Sequence, residues 1–307
     1  MYLYLPVALT SINILIPVGL GLAVGLLSGL FGVGGGFLLT PLLIMFGIPS
    51  TVAAATDSNQ IVAASTSGTY AHWKVGNVDF KMGLYLLVGG FVGGIIGVQA
   101  IKLLHAMGNA DFVIKITYIL MLGIVGVYMF IESLQSMRKK KNNTEEANEE
   151  KDSAIGRFLK SLPLQTRFEK SGITHSVFVP IVLGAFVGVL AAIMGVGGGF
   201  LMVPIMVYML RMPMHVVVGT SLFQILFTCI EVTFLQAYTN HSVDFILAVL
   251  LLLGSTVGAQ IGAAFGKKLK AEQLKILLAT IVLAVTIKIV FEITLTPSLL
   301  LSQVGGH

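Results

Sequence analysis

Ten stretches of this sequence are poor in charged side chains, and their lengths decide what the chain can fold into. They run near residues 12–31, 37–47, 53–71, 83–104, 113–136, 176–194, 200–210, 214–238, 243–266 and 273–294. About 20 apolar residues carry an α-helix across the hydrocarbon of a bilayer. Most of the stretches come close to that length. Those at 37–47 and 200–210 are about half as long and read as half-helices, each joined to the stretch before it through a glycine break. In lipid every backbone N–H and C=O must find its partner within the chain, so these stretches predict helices. The expected class is an all-α integral membrane protein. Composition agrees: 56% of the residues are hydrophobic and 11% charged, where soluble domains carry roughly 25% charged residues. That excludes an ordinary soluble enzyme and a nucleic-acid binder. The single cysteine, Cys229, excludes an intramolecular disulfide, and the six histidines do not cluster. No metal or cofactor is expected, and the surrounding partner is membrane lipid.

The charges are concentrated. Of 19 basic and 14 acidic side chains, residues 138–170 hold nine and six respectively. A segment of this kind is hydrated. It divides the chain into a membrane repeat at 1–136, a charged cytoplasmic linker at 137–174 and a second membrane repeat at 175–307. With the basic linker in the cytoplasm, the lysines at 74, 81, 267, 268, 270 and 275 fall on the same side. The loop at 239–243 then lies outside without a lysine or arginine, as the positive-inside rule requires. Lys102 and Lys115 fall outside, against the rule.

The two halves repeat each other. Gly32-Val33-Gly34-Gly35-Gly36-Phe37 recurs as Gly195-Val196-Gly197-Gly198-Gly199-Phe200, and Pro41 recurs as Pro204 at the same spacing. Thr56 and Gln60 correspond to Thr220 and Gln224, and Val78-Asp79 to Val243-Asp244. Gly89, Gly93 and Gly97 correspond to Gly254, Gly258 and Gly262. Each half holds about five helical segments. An odd number sends the second half into the membrane from the opposite face, so the expectation is two inverted repeats with glycine-broken re-entrant or half-helices.

A helix broken at membrane depth exposes backbone groups that are tolerated where they line a wet cavity. The half-helix after each break would turn its free N–H groups and positive dipole end toward it. Two such ends meeting near the midplane suit a small anion without any cationic side chain. The expected binding residues are Gly34, Gly35, Gly36 and Phe37 with Gly197, Gly198, Gly199 and Phe200. Polar residues on the next segment of each half complete the set: Thr56, Asn59 and Gln60, and Thr220, Ser221 and Gln224. Tight helix packing by glycine and interhelical hydrogen bonding by the polar residues are the structural alternatives. Asp57 and Glu231 are ionisable positions within spans and the candidates for proton coupling.

The doubled Gly-x-Gly-Gly-Gly-Phe-x-x-x-Pro pattern, the run Thr56-Asp57-Ser58-Asn59-Gln60, and His72-Trp73 followed by Gly76-Asn77-Val78-Asp79 resemble the sulfite exporter TauE/SafE family of membrane permeases. The resemblance covers nearly the whole chain outside the linker. It implies a secondary transporter, not an enzyme, that moves small sulfur-containing anions such as sulfite, thiosulfate, sulfoacetate or other sulfonates. It implies a multi-pass protein of the bacterial inner membrane, often working outward. An anion channel of the same architecture and a membrane sulfur-relay component built on Cys229 are the rival readings. Association into homo-oligomers is left open, as is the role of the linker.

Overall fold

The computed structural model describes residues 2–31, 36–139, 163–266 and 271–295. Its first half opens with a hairpin, β1 (Tyr2–Leu5) paired antiparallel with β2 (Thr10–Asn13). Then come α1 (Leu15–Phe31), α2 (Gly36–Met45), α3 (Ser50–Lys74), α4 (Phe80–Ala106) and α5 (Ala110–Lys139). The second half repeats the order. A hairpin of β3 (Gln165–Phe168) and β4 (Ile173–Ser176) precedes α6 (Phe178–Met194) and α7 (Gly199–Pro204). A π-helical turn, Ile205–Met209, extends α7, and α8 (Met214–Leu235), α9 (Phe245–Gly266) and α10 (Ala271–Leu295) follow.

Helices dominate, as the apolar stretches require. The two hairpins depart from a purely helical expectation. Residues 10–13, expected next to or inside the first span, are strand. Residues 165–168 and 173–174, expected as linker, belong to the second hairpin, and 137–139 end α5. The rest of the linker, 140–162, and the lysines at 267, 268 and 270 lie outside the described residues.

Four of the described helices have the length and apolarity to cross a membrane: Phe80–Ala106, Ala110–Tyr128, Met214–Asn240 and Phe245–Gly262. Their outer faces carry exposed apolar side chains such as Leu84, Val88, Ile95, Ile124 and Leu253, the reverse of a water-facing surface and the surface that lipid covers.

The halves are interlocked. Val18, Leu22 and Leu26 of α1 meet Gly254, Gly258 and Gly262 of α9. Leu86 and Gly90 of α4 meet Gly184 and Gly188 of α6. Both pairs run parallel, and each joins one half to the other. A Cβ on Gly93 would collide with the carbonyl of Ala185, and one on Gly258 with the carbonyl of Leu22. Small residues therefore set these close approaches. Helices α3 and α8 cross antiparallel at the centre, where Ile61, Ile225 and Cys229 form a small apolar cluster.

Two aspartates order the ends. Asp79 caps α4 by accepting from the Met82 N–H at 3.0 Å. Its own N–H donates to the Thr220 hydroxyl oxygen at 2.9 Å, and its other carboxylate oxygen accepts the N–H and hydroxyl of Ser171, 3.2 and 2.5 Å away, in the second hairpin. Asp244 does the same for α9. It accepts from Leu247 N–H, donates to Thr56, and accepts from Val7 N–H in the first hairpin, each at 3.1 Å. Each aspartate thus holds its own helix, the other half's hairpin and the other half's polar helix.

Candidate functional site

The second glycine break is described in full. Helix α6 ends at Gly195, whose φ of +72° is left-handed, and Gly197 and Gly198 follow at +66° and +74°. Side chains penalise such backbone, and here there is no room for one. A Cβ on Gly195 would strike the Ala54 carbonyl, one on Gly197 would sit 2.8 Å from Ile225 Cγ2, and one on Gly198 would strike Val187. The chain thereby reverses into α7. The first N–H groups of a helix lack intrahelical acceptors, here those of Gly199 and Phe200.

Of the first break, residues 32–35 lie outside the described residues, so Gly34 and Gly35 carry no structural description. Gly36 opens α2 and is buried against Ile61 and Asp57. The two half-helix starts come together: the rings of Phe37 and Phe200 lie 5.6 Å apart, tilted by 31°.

Helix α3 packs on α2 and α8 on α7, and both carry the expected polar side chains. Thr56, Gln60, Thr220, Ser221 and Gln224 are all buried, and Asn59 is half-buried. Not all are idle. The hydroxyl oxygens of Thr56 and Thr220 accept from Asp244 and Asp79, Ser221 donates to the Val218 carbonyl at 3.1 Å, and Gln224 Nε2 donates to Thr228 at 2.9 Å. The Oε1 atoms of Gln60 and Gln224 are buried without a hydrogen-bond partner. Buried acceptors without partners are uncommon and ask for water or a ligand donor.

Both candidate acids have distinct settings. Asp57 is fully buried and accepts the Thr40 hydroxyl at 2.8 Å. Glu231 is half-buried, with Oε2 lying 2.9 Å from where a Cβ on Gly94 of α4 would be. It extends a column with Gln224 and Thr228 along one face of α8, opposite Gly90 and Gly94. Cys229 is buried beside Gly197 and Ile61, a setting that offers no accessible thiol.

Sequence reading missed several residues of the site. Ser58 donates to the carbonyls of Gly195 and Ala54, both at 3.2 Å, and Tyr118 donates to the Met194 carbonyl. These hold the end of α6 in place. Thr40 orients Asp57. The repeat had already paired Asp79 with Asp244, which was the available signal for their shared role. Nothing in the sequence pointed to Tyr118 or Thr40, whose partners lie 76 and 17 residues away.

A family model described as Sulfite exporter TauE/SafE matches residues 18–289. The chain is 26% identical over 288 residues to the probable membrane transporter protein YunE of Bacillus subtilis (strain 168), covering 91% of this chain and 98% of that one. It is 27% identical over 272 residues to YjnA of the same organism, also described as a probable membrane transporter protein, with 88% and 97% covered. It is 31% identical over 103 residues to Sulfite exporter TauE/SafE family protein 1 of Arabidopsis thaliana, covering 33% of this chain and 23% of that protein. No solved structure matches the chain.

Proposed function

The chain belongs to the sulfite exporter TauE/SafE family, and from that membership we propose that it is a secondary transporter of small sulfur-containing anions across a bacterial inner membrane, with export as its direction. It is a multi-pass membrane transporter and not an enzyme. The substrate is sulfite, sulfoacetate or a related sulfonate. It docks between the two glycine breaks on the N–H groups of Gly34 to Phe37 and Gly197 to Phe200. Thr56, Asn59, Gln60, Thr220, Ser221 and Gln224 form the polar wall, and Asp57 and Glu231 are the acids available for proton coupling.

The observation that carries this reading is the meeting of the two half-helix starts at Phe37 and Phe200. Helix N-termini bind compact oxyanions by backbone N–H groups and dipole alone. The two halves are read as inverted. The antiparallel crossing of α3 and α8, which carry the repeat-related pairs Thr56/Gln60 and Thr220/Gln224, supports this. Alternating access then follows by rocking one repeat against the other.

Reconstitution into liposomes tests it. Saturable uptake of labelled sulfite, thiosulfate or sulfoacetate, accumulating against its gradient when a pH gradient is imposed, is the expected result. Downhill flux without accumulation makes the protein a channel, and no flux of any sulfur anion contradicts the reading.

A further inference from the structure

The two half-helix starts share the sequence Gly-Phe-Leu but have chemically unequal neighbours. Immediately after the repeat-related threonines, α3 carries Asp57 where α8 carries Ser221. Asp57 is wholly buried. Its Oδ2 accepts the Thr40 hydroxyl from α2. Its Oδ1 has no hydrogen-bond partner and lies 3.3 Å from where a Cβ on Gly36 would sit. The carboxyl is therefore seated against the first turn of α2, a helix of ten residues. The titratable groups that face it are Tyr118 from α5 and Cys229 from α8, and the Tyr118 hydroxyl is committed to the Met194 carbonyl. Among the described residues no basic side chain pairs with Asp57. Glu231, the other acid within the spans, faces Gly94 of α4 instead of a half-helix start.

An ionised carboxylate whose hydrogen bonds come from Thr40 alone is costly in such a place. It would also set a negative charge against the helix start that an anion needs. We propose that Asp57 is the proton site of the transport cycle and shares the start of α2 with the substrate: the anion docks there only with Asp57 protonated. One proton then binds with each anion. The carboxylate takes up a proton to become the neutral acid, and no other bond changes. When the empty site loses that proton, the ionised carboxylate stands near the helix start in place of the substrate. This inference rests on the transport reading above and gives its coupling.

The test uses thiosulfate and sulfoacetate, whose charges stay constant between about pH 6 and about pH 8. At a pH where Asp57 is ionised in the empty site, native protein in weakly buffered detergent should take up one proton for each anion bound, read with a pH indicator. Linkage of one proton to one anion raises the apparent Kd about tenfold per pH unit once Asp57 is mostly ionised. In Asp57→Asn and Asp57→Ser that dependence should flatten, and accumulation driven by a pH gradient should be lost. The serine variant carries what the other repeat has at this place. Binding without proton uptake in native protein, and without weakening of affinity anywhere between about pH 6 and about pH 8, overturns the inference, even if both variants fold poorly. So does proton-driven accumulation that persists in the variants, or proton uptake that disappears in Glu231→Gln and persists in Asp57→Ser. If native protein neither binds nor moves either anion, the transport reading itself fails, and this inference with it.

Discussion

Asp79 and Asp244 show how much one side chain can settle in a membrane. Each satisfies the start of its own helix, anchors a hairpin and gives its N–H to a threonine hydroxyl in the other half. Losing a capping carboxylate typically costs about 0.5–2 kcal/mol, and Asp79→Ala also leaves the Ser171 N–H and hydroxyl without their acceptor. We expect Asp79→Ala to lower the unfolding temperature in detergent, and Asp79→Asn, which still accepts, to lower it less. Thr220→Val should leave the Asp79 N–H buried and unsatisfied, a loss of about 1–3 kcal/mol. An unchanged melting temperature in either would contradict the roles given to these residues. Sequence spacing had paired Thr56 with Thr220 and Asp79 with Asp244, but not the threonines with the aspartates. Those bonds join residues 141 and 188 positions apart. A buried hydroxyl also reads equally well as a substrate ligand or a helix tie.

Among the elements, the half-helices were readable because length alone marks them, and the glycine breaks because they occur twice. The hairpins were not. Their strands are only four residues long, and the first abuts an apolar stretch whose helical signal overwhelms it. The second sits among charges that read as solvated linker, although Phe168 is fully buried, as is Leu5 in the first hairpin. The glycine series on α4 and α9 was readable as a repeat, while its partners on α6 and α1 needed the structure. Overpacking a close helix contact typically costs 1–3 kcal/mol, or about that order. We expect Gly93→Leu and Gly258→Leu to reduce the yield of monodisperse protein on size exclusion. Leu84→Ala, on the exposed face of the same α4, should not. Equal yields for all three would contradict the close packing of α4 with α6 and of α1 with α9.

At the scale of the whole molecule, the repeats are not two independent domains. Helix α1 completes its packing on α9, α4 on α6, and α3 on α8. Residues 1–139 expressed alone should therefore be degraded or aggregated, and co-expression with 163–307 should restore a stable complex. A stable, monodisperse first half would contradict the interlocked arrangement. The low charge content has its consequence here too: among the described residues no lysine or arginine lines the meeting point of the half-helices, so the proposed docking of an anion there rests on backbone dipoles. The most direct test of that claim is a cryo-EM map of the protein in lipid nanodiscs with saturating thiosulfate. The account predicts added density between the starts of α2 and α7, beside Phe37 and Phe200. Density for the anion elsewhere, with that meeting point unchanged, would contradict it.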